Sequence, residues 1–272
     1  MKRDLINPLA VILALALIPS EGSAQNHRDV QLHVNPKWRE CSFQLDPSLT
    51  QSAWRRFTGE AGVVTFFRPL TDARPMGRGR VEISALQWET QIDDHTDAWN
   101  DTFVHPDSTH WLTDGHGLAF PGLTLRAGLS SKVDVGAYFT RNPEANYGFY
   151  GGQVQYSLVD DAESNWAAAA RVSLVSLYGP DDLDFTVYGM EVVTSREYAL
   201  FSHRASVSPY AGVSTYLANS HEKTAAVDLE DERVLGAQAT IGAVARIGWI
   251  RLAAEYNAAK VSSRSIKLGV SF

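Results

Sequence analysis

From Arg80 to Phe272 the chain reads as successive segments, roughly nine to fifteen residues long, in which apolar positions alternate with polar or small ones. Successive side chains of a strand point to opposite sides, so this period of two predicts strands with two unlike faces. In the closing segment Ile266, Leu268, Val270 and Phe272 share one face, and Ser265, Lys267, Gly269 and Ser271 the other. Val133, Val135, Ala137 and Phe139 oppose Asp134, Gly136, Tyr138 and Thr140 in the same way. Ten strands are predicted, near 80–91, 119–129, 132–141, 147–159, 164–178, 183–195, 203–218, 233–246, 249–260 and 264–272. The segment 183–195 alternates poorly, and 80–91 slips phase near Gln87 and Trp88.

A soluble sandwich also alternates, so other features must separate the two. The segments approach the nine to eleven residues that a tilted strand needs to cross a bilayer. Their apolar faces are unbroken, while the opposite faces carry Gly, Ser, Gln and charges, as a polar lumen requires. Tight links (Ser130-Ser131, Asp160 to Ser164, Gly248, the longer Ser195 to Ser202) alternate with long ones (92–117, 219–232), as in barrels with short periplasmic turns and long outer loops. The prediction is an all-β fold, a closed antiparallel transmembrane barrel of about ten strands over 80–272, with both ends facing the periplasm. Lipid demands such closure because every backbone N–H and C=O must be paired.

The N-terminus predicts export. Lys2 and Arg3 precede an apolar stretch from Leu9 to Ile18, and Gly22-Ser23-Ala24 supplies the small residues of a cleavage site. Residues 1–24 are therefore expected to be a signal peptide cut before Gln25, leaving 25–79 as a segment ahead of the barrel. Asp46-Pro47 reads as a helix start, and Leu49, Ala53, Trp54 and Phe57 recur at helical spacing, placing a helix near 47–58. Val63 to Phe67 reads as a short strand and Thr71 to Gly79 as a link. Two readings compete: a helical plug carried by Leu49, Trp54 and Phe57, which is preferred, or two further strands and a twelve-stranded barrel. A helix against the periplasmic membrane surface is the third.

Composition narrows the rest. The single cysteine, Cys41, leaves no partner for an internal disulfide. A predicted pI near 5.6 argues against a nucleic-acid partner. No cofactor is expected.

The stretches GEAGVVTFFRPLTDARPMGRGRVEISA (59–85), SPYAGVSTYL (208–217), LAAEYN (252–257) and KLGVSF (267–272) resemble a poorly characterised group of proteobacterial outer-membrane barrel proteins. That group is more distantly similar to fatty-acid and hydrocarbon transporter barrels. Those transporters also carry a segment ahead of the barrel but are longer, with more strands. The terminal Phe272, with apolar residues at alternate positions before it, resembles the signal read by the barrel-assembly machinery, which is an expected partner beside outer-membrane lipid and lipopolysaccharide.

Candidate chemistry sits in three places. Arg126, Asp134, Arg171, Arg204, Arg246, Arg251, Glu255 and Lys267 are predicted to line the lumen, where charges either set ion selectivity or pair with one another because burial requires it. The loop 92–117 holds His95, His105, His110 and His116 with six aspartates and no Lys or Arg. That composition suits a metal, but the spacing matches no ligand motif and an acidic, solvated loop is the simpler reading. Within it Trp99 and Trp111 are expected to anchor at the membrane interface. For catalysis, His203 and Ser206 point to opposite faces, and Asp181, Asp182 and Asp184 have no evident partner, so no enzyme is predicted. Tyr147, Phe149, Tyr150, Trp166, Tyr178, Phe185, Tyr216 and Trp249 lie near strand ends and are read as interfacial girdles. The preferred function is passive passage of a small solute, hydrophobic ones included; the runner-up is a non-transporting barrel serving envelope integrity or surface interaction.

Overall fold

The computed structural model describes residues 42–93, 96–104, 118–141, 147–200 and 205–272. The expected signal peptide and cleavage site, Cys41, Arg204, His203, Trp111 and the four loop histidines lie outside them.

Ten antiparallel strands close into a barrel: β2 (Val81–Thr90), β4 (Leu118–Gly128), β5 (Val133–Arg141), β6 (Gly148–Asp161), β7 (Trp166–Tyr178), β8 (Leu183–Arg196), β10 (Ala205–Glu222), β11 (Glu232–Ile247), β12 (Ile250–Ala258) and β13 (Ser263–Ser271). Each pairs with the next, and the last returns to the first through the register Leu268↔Ala85, so no edge is left open. A short β9 (Tyr198–Leu200) continues the line of β8 beyond Glu197: Ser195 pairs with Tyr210 and Tyr198 with Val207, on either side of Pro209, which has no N–H to offer. Two-residue β1 (Ser42–Phe43) and β3 (Phe103–Val104) form a separate ribbon. The twelve-stranded alternative is not what forms.

Connections at one end span 129–132, 162–165, 201–204 and 248–249; those at the other include 91–117 and 223–231. Val81 and Phe272 exchange backbone hydrogen bonds at the short-turn end, 2.8 and 3.0 Å, which closes the seam there.

Exposure alternates through the central part of the wall, strictly so in β8 and over most of β13. Ile83, Leu123, Leu125, Met190, Val192, Val213, Ile241, Ile266 and Leu268 project outward and are exposed. In a soluble monomer an apolar belt running around the whole molecule would far exceed the usual patch of a few hundred Å²; against hydrocarbon it is what burial by lipid requires. At about 3.4 Å per residue and a tilt near 40°, a strand the length of β10 rises about 45 Å, well beyond a ~25 Å apolar band. Its last residues therefore stand clear of the membrane, where His221 meets Asp231 at 2.6 Å with both side chains exposed.

The phase slip expected in 80–91 is absent. β2 keeps one unbroken register with both neighbours, placing Leu86 and Trp88 inside and Gln87 outside. β8 likewise alternates strictly, with Leu183, Phe185, Val187 and Val193 inward against Tyr188, Met190 and Val192 outward. These strands look irregular in sequence because their inner faces are apolar too.

An eight-stranded barrel is filled by its own side chains; ten strands leave more room, and residues 42–80 occupy it. Helix α1 (Gln51–Thr65) runs down the interior. Thr50 caps it, accepting from Ala53 N at 3.3 Å, while Asp46 instead holds a preceding turn through Ser48 N and Oγ. The helix thus starts later than Asp46-Pro47 predicts, and it extends through Val63–Thr65, where a strand was expected. Gly59 and Gly62 permit this. A Cβ at Gly62 would lie 2.5 Å from the Tyr216 ring, so only glycine lets the helix approach β10 this closely. The Tyr216 hydroxyl then donates to Gly59 O at 3.0 Å.

Candidate functional site

The lumen divides into two layers, both occupied. In the half nearer the long loops, Leu49 just before α1 and Ala53, Trp54, Phe57, Ala61 and Val64 of the helix itself contribute to an apolar core. Trp54 and Phe57 stack at 5.4 Å, and Phe57 meets Trp99 edge-on at 5.0 Å and Phe185 at 6.2 Å. Phe43 of β1 packs on Tyr147 and Phe103 at 4.6 and 5.1 Å. Four of the eight residues read as girdles, Tyr147, Phe149, Phe185 and Tyr216, are buried inside instead, because the interior at this level is an aromatic core around the helix. Tyr150, Trp166 and Trp249 do face outward. Trp99 is no membrane anchor either. It sits in helix α2 (Asp97–Asn100), fully buried, and its indole N–H donates to Glu60 Oε2 at 2.6 Å.

The chain leaves α1 through Arg68, whose guanidinium donates to the carbonyls of Val63, Val64 and Phe66 and to Ser263 Oγ. It thereby satisfies helix-end acceptors and sets positive charge against the negative end of the dipole. Residues 69–80 then pass down the second layer. Leu70, in the left-handed region at φ 47°, is buried against the inner faces of the wall.

Here the predicted lumen residues meet this strap. Arg126 pairs with Asp134 at 2.5 Å and donates to Arg74 O at 3.0 Å; Asp134 also accepts from Met76 N. Arg171 reaches Glu191 at 2.7 Å, Gln155 at 2.9 Å, and the carbonyls of Thr71 and Asp72 at 2.7 and 2.9 Å. Arg246 pairs with Asp72 and donates to Ser208 Oγ at 2.8 Å, and Glu197 lies between Arg246 and Arg74. Lys267 donates to Glu82 at 2.7 Å and Pro69 O at 2.9 Å. Five basic side chains (Arg74, Arg126, Arg171, Arg246, Lys267) are thus matched by five carboxylates (Asp72, Glu82, Asp134, Glu191, Glu197).

Two predicted residues stand apart. Arg251 turns back on Gly248 O and Ile250 O at the rim. Glu255 is buried and forms no ion pair among the described residues: it accepts from Tyr210 Oη and Asn257 Nδ2, both at 2.8 Å. Arg204 is outside the described residues.

Sequence reasoning missed Asp72, Arg74, Glu82, Glu191 and Glu197. The last two lie on the β8–β9 line, whose period was obscured, and the first two in a segment read as a mere link. The usable signal was the excess of predicted inward cations over inward acids, which demanded further carboxylates. Among the described residues no group of three or more His, Cys, Asp or Glu is placed to hold a metal.

No protein-family model matches the chain. No curated protein matches it significantly. Among solved structures, it is similar to the β domain of the Bordetella autotransporter BrkA (13% identity, 71% of this chain, 99% of that one, TM-score 0.42). It is also similar to Ail, the attachment invasion locus protein of Yersinia pestis (11%, 72% and 99%, 0.30), and to LpxR from Salmonella typhimurium (12%, 71% and 99%, 0.34). The expected distant likeness to fatty-acid transporters is not shown. At these scores the class rests on the chain's own hydrogen bonding: a closed, ten-stranded antiparallel β-barrel with an apolar outer belt.

Proposed function

We propose that this chain is an outer-membrane barrel plugged by its own N-terminal segment, non-conducting in this state, and serving envelope structure or surface interaction rather than steady solute passage. One observation carries the reading: residues 42–80 run the length of the lumen. Leu45 N donates to Asp182 at the long-loop end, and Gly79 N to Gly128 O at the short-turn end. Between them a packed aromatic layer and a neutralised charged layer leave the predicted lumen charges engaged with partners, not with a water column. The export signal and the outer belt support the location. Phe272 at the barrel seam supports recognition of the last strand by the assembly machinery, and the acidic balance speaks against nucleic acid.

A second reading, a channel opened when the strap leaves, is favoured by Ser214, Gln238 and Ser265. Their inward side chains are buried with polar atoms that find no partner among the described residues. Such a wall suits water better than a hydrophobic solute.

Planar-bilayer recording decides between them. The proposal expects purified full-length protein to insert without discrete conductance steps. Stable, unitary steps from the unmodified protein would overturn it in favour of a pore.

A further inference from the structure

On the outer wall, the strands flanking the seam enclose a hollow of about 700 Å³. Its cause is local: Ala85 presents almost no side chain where Leu123, Phe139, Leu252 and Leu268 stand up around it. The rows follow the register, Phe139↔Leu123, Leu123↔Ala85, Ala85↔Leu268 and Leu268↔Leu252, so the hollow crosses five strands at one level. Its lining is almost wholly apolar.

Outward Gln87 adds a neutral amide, and the charged outward side chain at its edge is Arg141. It ends β5 toward the long loops, points outward like Phe139 two residues before it, and its guanidinium makes no hydrogen bond or ion pair with the described residues. Arg264, also outward near that end, is already held by Glu89 through two nitrogens at 2.9 and 3.1 Å. Beside Arg141 the outward aromatics form a stack: Phe139 on Tyr178 at 5.4 Å, and Tyr150 against Tyr178 at 6.3 Å.

We infer that this face binds a phosphorylated, acylated sugar lipid of the outer leaflet, lipid A in chemical class. An acyl chain lies in the hollow, a phosphate engages Arg141, and the sugar rests on the Phe139–Tyr178 surface. Each element answers a different part of that molecule. Hydrocarbon alone would leave the guanidinium without an anion, arginine suits bidentate phosphate contact, and aromatic faces suit the C–H faces of a sugar. A second copy of this chain fits worse, because docking it would bury Arg141 without a counter-charge. The inference rests on the outer-membrane location proposed above.

The test extracts full-length protein from native outer membranes in mild detergent, washes it in detergent alone, and quantifies retained 3-hydroxy fatty acids, which mark lipid A and not glycerophospholipids. The wild type and a Leu235→Trp control elsewhere on the wall should retain lipid A. Arg141→Glu should lose it roughly tenfold, and so should Ala85→Trp, which fills the hollow. Heat-modifiable mobility on gels verifies that each variant is folded. Equal retention by both variants, retained phospholipid without hydroxylated acyl chains, or an Ala85→Trp effect confined to breaking a dimer would each overturn the site. Wild-type protein recovered outside the outer-membrane fraction would overturn the location itself, a different failure.

Discussion

The Arg171 guanidinium lies 2.7 Å from Glu191 Oε2 on the neighbouring strand and spends its remaining donors on Gln155 and on the Thr71 and Asp72 carbonyls of the strap. One side chain therefore joins three wall strands, β6, β7 and β8, to the segment that fills the lumen. Arg171→Met should cost about 3–5 kcal/mol, because a buried Glu191 is left without its counter-charge. Urea titration followed by the folded-form gel shift measures it. Removing Glu191 as well, as Leu, should recover part of the loss, since neither charge then remains alone. A double variant no better than the single one contradicts this account.

The contact between Gly62 and Tyr216 sets how deeply the helix seats. Gly62→Leu would drive a side chain into that ring and should destabilise by about 1–3 kcal/mol, with brief conductance flickers as α1 lifts. Tyr216→Phe, which removes only the bond to Gly59 O, should cost about 1 kcal/mol and stay silent in bilayers. Indistinguishable recordings for Gly62→Leu and the wild type would show that the helix is not seated by this contact.

On the outer wall, depth should govern the cost of charge. Val213, midway along β10, is expected near the bilayer centre, so Val213→Arg should destabilise by about 2–4 kcal/mol. Leu235, four residues into β11 from the long-loop end, should tolerate Arg at about 0–1 kcal/mol. Equal costs would place the apolar band elsewhere along the strands.

The through-running segment also predicts topology. Pro47 and Ser48 are exposed at the long-loop end, beside Asp101 and Asp182. An epitope inserted between them should be reached by antibody on intact cells. Labelling only after the outer membrane is permeabilised would invert the orientation.

The sequence by itself determined the wall. Which residues of 266–272, 133–140 and 250–257 face outward follows from a period of two, and that period is local: neighbours two apart share a face whatever lies across the barrel. The even strand number and the alternation of short and long links follow from the same reading. Only the tertiary structure decided what fills the interior. Arg171 meets Thr71 across 100 residues of chain, and Tyr216 meets Gly59 across 157, separations that no window along the chain contains. Where α1 packs, inward positions such as Leu86, Phe149, Phe185 and Val187 are as apolar as outward ones, and the contrast that marks a strand disappears. Inner and outer faces were legible wherever the lumen is polar, and illegible wherever the chain's own helix replaces water as the solvent of the barrel's interior.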